Sequence, residues 1–190
     1  MAVLSFRDTH VRRTVAQDPR LKHARILSSG QFSRIFTSPR ANRVFKLTVD
    51  QSYLAYLTDR RSPQGEHKPI LYRDYGIIGE TRSGVALFLL EIEQLRKIRR
   101  GSANAQLVCN IVRHFEERRG RRRPHLPHRA HQVVGLTAKL ATFFRKLERF
   151  SERQHYALDV HEDNIMQRED GTLVINDPLS EGYFFHFGGD

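Results

Sequence analysis

The sequence predicts an α+β fold, with a small, mostly antiparallel sheet in the first half and a mainly helical second half. Between residues 26 and 92, short β-prone runs alternate with clusters of Gly, Ser, Pro and Asn, interrupted by one helix-length segment. From 132 to 150, by contrast, apolar residues recur every three to four positions. A chain of 190 residues with 39% hydrophobic content suits one domain with an ordinary core and room for two lobes.

Taken in order, Asp8 can cap a helix through Val11 and Val15 that Pro19 interrupts. Ile26–Phe36 reads as strand, small-residue turn, strand. Asn42–Thr48 follows as a third strand, with Val44, Lys46 and Thr48 on one face and Phe45 and Leu47 on the other. Asp50–Arg60 suits a helix with Tyr53, Leu54 and Leu57 inward, ended by Ser62-Pro63-Gln64-Gly65. Residues 70–78 and 85–92 form two more strands around Glu80–Gly84, and the unbroken apolar run from Val85 to Leu90 makes the second a buried, central strand. Ser102–Phe115 is expected as a helix with Leu107, Val108, Ile111 and Val112 inward. Arg118–Arg129, carrying Gly120, Pro124 and Pro127, is expected as a loop. The strongest helix spans Gln132–Phe150, with Val133, Leu136, Leu140, Phe143, Phe144, Leu147 and Phe150 on one side and Lys139, Arg145, Lys146 and Arg149 on the other.

The formal net charge of +11 is concentrated: residues 94–131 hold eleven Arg or Lys against Glu116 and Glu117. Such a field attracts polyanions or acidic protein faces, yet no nucleic-acid recognition motif accompanies it. The single cysteine, Cys109, excludes an intrachain disulfide and a multi-thiolate zinc site, and fits a reducing cytoplasm. Val85–Leu90, the longest apolar run, is far too short to span a bilayer, and Met1–Phe6 lacks the pattern of a secretory signal, so no membrane association is expected. His125, His128 and His131 make a ladder with metal-like spacing, but intervening Pro127 and neighbouring Pro124 break the helix that would align them.

The chemistry concentrates in the last third. Asp159 is followed five residues later by Asn164 and thirteen after that by Asp177, with an Asp170-Gly171 turn and the apolar strand Leu173–Ile175 between them. An Asp–Asn loop, a hairpin and an Asp at a strand end are the parts required for phosphoryl transfer, which needs phosphates and magnesium held in line with an acceptor hydroxyl. In that scheme Asp159 accepts or orients the hydroxyl, and Asn164 and Asp177 offer hard oxygen ligands to Mg2+. Lys46, on a strand beside the small-residue turn, pairs with nucleotide phosphates. His161, two residues after Asp159, contacts the transferred group.

Leu158-Asp159-Val160-His161-Glu162-Asp163-Asn164-Ile165-Met166 and Ile175-Asn176-Asp177-Pro178-Leu179-Ser180 resemble the catalytic segments of the early serine/threonine protein kinases of T-seven-like podophages. Ser29–Ser33 and Asn42–Lys46 resemble the phosphate loop and lysine strand of the same family. The likeness covers roughly 26–60 and 132–180. It implies a bilobal protein-kinase-like fold forming one domain over 1–190, with an N-lobe and hinge over 1–92 and a truncated helical C-lobe over 93–190 that carries a basic loop at 113–131. It also implies ATP and Mg2+ as cofactors, host proteins as substrates and action in the infected bacterial cytoplasm. By the same resemblance Ser28, Ser29, Gly30, Phe32 and Ser33 line the nucleotide phosphates, and Glu91 and Glu93 mark the backbone that meets adenine. The sequence departs from the usual pattern in three ways. Gly30 is the one glycine of the loop, Pro178-Leu179 stands where many kinases have Phe-Gly, and neither Asp50 nor Glu66 is a convincing acidic partner for Lys46.

Two other functions fit the same residues. A small-molecule phosphotransferase shares the Asp-x-His-x-x-Asn pattern. A non-catalytic kinase-fold protein would bind a host transcription or RNA-processing protein. The basic segment at 94–131 suggests acidic or nucleic-acid-associated partners.

Overall fold

The computed structural model describes residues 4, 5, 7–119 and 133–181. The α+β class is as expected, with a five-stranded antiparallel sheet, four α-helices and two short two-stranded sheets among these residues. The chain forms two compact units, Met1–Asp50 with Pro69–Gln94 and Gln51–Lys68 with Leu95–Asp190. The sequence suggested a single division at 92. Instead the helix after the third strand belongs with the second unit, because Ser52 Oγ donates to Leu179 O at 3.1 Å and Tyr56 Oη to Ile175 O at 2.8 Å.

In the first unit, α1 (Thr9–Gln17) is capped by Asp8, whose carboxylate accepts from His10 N at 2.8 Å. The sheet contains β1 (Ile26–Ser29), β2 (Ser33–Thr37), β3 (Arg43–Thr48), β4 (Leu71–Glu80) and β5 (Ala86–Glu93) in the order β1-β2-β3-β5-β4. The apolar β5 lies between β3 and β4, where both edges are paired. Strand alternation sends Phe45 and Leu47 into a core with Leu4, Val11, Leu21, Phe36, Val49, Leu87 and Leu89. Lys46 falls on the opposite face and is only 2% exposed. Gly79 lets α1 approach β4 closely, since a Cβ there would lie 2.5 Å from Thr14 Oγ1.

In the second unit, α2 (Gln51–Thr58) buries Ser52, Tyr53, Tyr56 and Leu57. Helices α3 (Ala103–Arg119) and α4 (Ala138–Gln154) meet through Phe115 and Phe144, whose ring centroids lie 5.3 Å apart. The expected apolar face of α4 holds from Leu140 onward, with Phe143, Phe144, Leu147 and Phe150 buried. Its start does not hold. Gly135 has φ of 87°, outside the helical region, and Thr137 accepts from Leu140 N at 3.2 Å as the cap, so the helix begins at 138 rather than 132. Helix α3 runs on to Arg119, so the expected basic loop over 113–131 is helical in its first part, and the rest, with the histidine ladder, lies outside the described residues.

Past α4, His155 takes a left-handed cap with φ of 58°, and Ser151 Oγ donates to Tyr156 O at 2.8 Å. The chain then enters β6 (Tyr156–Leu158), a 3-10 turn (Glu162–Asn164), β7 (Ile165–Gln167), β8 (Leu173–Ile175) and β9 (Leu179–Glu181). β7 pairs with β8 as the hairpin expected around Gly171, whose φ is 86°. The β6–β9 pairing was not expected, because three-residue strands carry too little alternation to read. Among the described residues, no helix is long and apolar enough to cross a membrane.

Leu147→Ala should lower unfolding stability by about 2–5 kcal/mol, through lost apolar transfer and a residual cavity. Lys146→Ala, on the exposed face of the same helix, should stay within about 0.5 kcal/mol of wild type. Urea unfolding followed by circular dichroism measures both.

Candidate active site

Four of the expected residues, Asp159, His161, Asn164 and Asp177, come together in the second unit through two backbone bonds. Asp159 N–H donates to Pro178 O at 2.7 Å, and Asn176 N–H donates to Asn164 O at 2.8 Å. The residues flanking Asp177 are thus joined to the two candidate positions of the preceding loop, Asp159 and Asn164. The β6–β9 ladder, which sets Leu158 opposite Leu179, continues the first bond, and the β7–β8 ladder, with Ile165 opposite Ile175, continues the second. Within the loop, Asn164 N–H donates to His161 O at 3.0 Å. The Asn164 amide donates to Asp159 O at 2.9 Å, which turns its own oxygen away from that carbonyl and leaves it able to face a cation. His161 Nε2 lies 3.6 Å from Asp159 Oδ2, within ion-pair reach when the imidazole is protonated.

Three residues that the sequence reading missed as site components hold this arrangement from below. Tyr56 Oη donates to Ile175 O, and Ile175 N–H donates to His67 O at 2.9 Å, so both backbone groups of the residue two before Asp177 are engaged from the 51–68 segment. Burial, reinforced by the negative charge of Asp177, pushes the Tyr56 phenol well above its ordinary range and keeps it a donor. His67 Nδ1 also bonds Leu173 O at 2.8 Å, and Ser52 reaches Leu179 O. A buried tyrosine needs a partner for its hydroxyl, which was the one available signal that Tyr56 does more than pack. Lys68 lies beneath the same support, with Nζ 3.0 Å from Ser62 Oγ and 5.5 Å from the Tyr56 ring centroid. Desolvation lowers its pKa to about 8.

The remaining expected residues belong to the first unit. Lys46 lies at the middle of β3, opposite Ile35 of β2 and Leu90 of β5. The Ser29–Ser33 turn is a tight hairpin end in which Gly30 N–H donates to Ser33 O at 2.9 Å. The Arg34 guanidinium donates to the carbonyls of Gly30, Ser33 and Leu4. A Cβ on Gly30 would meet nothing closer than Ser33 Oγ at 3.6 Å, so the turn does not require glycine for space. Ser28 and Ser29 lie exposed on β1, while Phe32 and Ser33 are partly buried, and Phe32 O accepts from Val49 N at 3.1 Å and from Thr48 Oγ1 at 3.1 Å.

Glu91 and Glu93 use their side chains within the sheet. The Glu91 carboxylate, 1% exposed, accepts from Ser38 Oγ at 3.1 Å, Arg40 Nη1 at 3.2 Å and Tyr75 Oη at 3.3 Å. Glu93 accepts from Ile70 N at 2.8 Å, and its own N–H donates to Ile70 O at 3.0 Å. These bonds anchor the end of β5 to the start of β4.

Among the described residues, no group of three or more His, Cys, Asp or Glu gathers as a metal cage. Asn164 and Asp177 nevertheless suit magnesium, which takes hard oxygen donors and commonly completes its shell with water and substrate phosphate. No protein-family model matches the chain, and no curated protein matches it.

Tyr56→Phe should cost about 1–3 kcal/mol, because Ile175 O loses a buried donor. Lys68 supplies a pH signature. Its folded pKa of about 8 lies below its ordinary 10.5, so between those values the unfolded chain holds a proton that the folded chain has released. Its penalty is therefore complete below pH 8, and stability from this group rises with pH across the window. Denaturation midpoints against pH should show that rise for wild type and a smaller one for Lys68→Met.

Proposed function

We propose that the protein is an ATP- and magnesium-dependent protein kinase acting on serine or threonine hydroxyls of host proteins. The observation that carries this reading is the joining of the Asp159–Asn164 loop to the Asn176–Pro178 segment by paired backbone hydrogen bonds. The strand order β1-β2-β3-β5-β4, with the single sheet lysine on β3, supports a kinase-like N-lobe. The helix α4 that leads into the loop supports a kinase-like C-lobe.

In this reading Asp159 orients the acceptor hydroxyl and takes its proton as the new O–P bond forms. The bond between the γ-phosphorus and the bridging oxygen breaks, and ADP leaves with the electron pair. Asn164 and Asp177 hold magnesium, which neutralises charge on the phosphates when bound. Lys46 and the Ser28–Ser33 turn serve the phosphates, the backbone at Glu91–Glu93 serves adenine, and a His161 ring N–H donates toward the transferred group. The site of action is the cytoplasm of the infected host.

A non-catalytic kinase-fold binding protein is the second reading. The hairpin turn favours it, because Gly30 N–H is already committed to Ser33 O, and Arg34 covers the Gly30 and Ser33 carbonyls.

Purified protein incubated with labelled ATP and magnesium should label proteins of a bacterial lysate. Asp159→Asn and Asp177→Asn should each reduce the rate by at least about a hundredfold, as expected for loss of a group that acts in the transition state. Lys46→Met should weaken nucleotide binding in calorimetry. Absence of ATP binding by the wild-type protein would establish the second reading instead.

A further inference from the structure

A cleft of about 460 Å3 opens beside the catalytic loop, lined by Cys109, Val112, Arg113, Glu116, His161, Glu162 and Asp163. Its volume falls within the range of ordinary ligand sites. Every lining residue belongs to the second unit. Cys109, Val112, Arg113 and Glu116 recur at helical i, i+3, i+4 and i+7 spacing, so one face of α3 forms a wall. The 3-10 turn forms the opposite wall, and Cys109 Sγ approaches Glu162 Oε1 at 3.7 Å where the two meet.

Position and charge together define what this cleft can hold. His161 lines it and lies 3.6 Å from the Asp159 carboxylate, so the cleft begins one imidazole away from the group assigned to the acceptor hydroxyl. Three carboxylates and one guanidinium line it, on a chain whose formal charge is +11. Glu116, Asp163 and Arg113 make no ion pair with another described residue. Val112, 8% exposed, supplies an apolar floor for a methylene stem.

We infer that this cleft is the acceptor subsite, and that it selects substrates carrying an ammonium or guanidinium group beside the hydroxyl. The inference rests on the kinase reading and deepens it, replacing the acidic substrates that the overall charge suggested with cationic ones. A segment with Arg or Lys next to Ser or Thr has this chemistry, and so does a polyamine-like small acceptor.

The test uses the full chain and two fluorescent serine peptides of equal length, one flanked by Arg and Lys, the other by Asp and Glu. Anisotropy should give a Kd at least about tenfold lower for the basic peptide, against the direction that the net charge alone dictates. Glu116→Lys, on an exposed helix position, should weaken that binding about tenfold, and Arg113→Glu should strengthen it, an effect that misfolding does not imitate. Tighter binding of the acidic peptide, or a basic-peptide Kd that neither substitution moves, overturns the inference. Competition by spermidine would show that a free amine suffices, whereas no competition would assign the subsite to peptide side chains; both outcomes follow from cation recognition. Labelled ATP then separates the two levels. Peptide binding without transfer defeats the kinase reading alone, and transfer without charge preference defeats the subsite alone.

Discussion

Two backbone hydrogen bonds, from Asp159 N–H to Pro178 O and from Asn176 N–H to Asn164 O, are the constraint on which the candidate site depends. Each contributes only about 0.5–1.5 kcal/mol net to stability. Their larger effect is geometric. Asp177 lies in a segment tied on both sides, one tie at Asp159 and the other at Asn164. The three oxygen-bearing side chains therefore share one backbone frame. Phosphoryl transfer is governed mainly by positioning and charge, which makes such a frame the appropriate device for the proposed chemistry.

The frame rests on polar groups buried beneath it. Tyr56 and His67 engage both backbone groups of Ile175, while Ser52 holds Leu179. Satisfying these carbonyls from side chains lets strands of only three residues persist, although their own ladders are very short. Lys68 introduces a cost in the same layer, since desolvation opposes its charge and Ser62 Oγ offers a neutral partner. A polar support of this kind loses more when one member is removed than an apolar layer would, because the remaining groups stay buried.

Charge is distributed for different purposes in different places. In the first unit, Glu91 is a buried anchor for Arg40, Arg43, Ser38 and Tyr75. In the second, the cleft beside His161 opposes the sign of the whole chain. In the proposed reading, the net positive charge and the cleft therefore act on different features of one partner, the first through long-range attraction and the second through local selection.

Much of the fold was legible because its signals are local. Asp8 as a cap, the face alternation of β3, the continuous apolar run of β5 and the periodicity of α4 from Leu140 onward each depend on residues close in sequence. The spacing of Asp159, Asn164 and Asp177 likewise carried the candidate site, since a loop, a glycine turn and a short strand leave few ways to connect them. Other features depended on partners far along the chain. Tyr56 and Ile175 are 119 residues apart, and Ser52 and Leu179 are 127 apart, so only the folded chain could assign α2 to the second unit. The side-chain role of Glu91 needed Arg40 brought 51 residues back to it. Local sequence patterns marked the longer helices and strands and the candidate site side chains, whereas the start of α4, the end of α3 and the β6–β9 pairing came only with the fold. Tertiary structure decided which backbone groups were left to bind one another, and through them where those side chains stand.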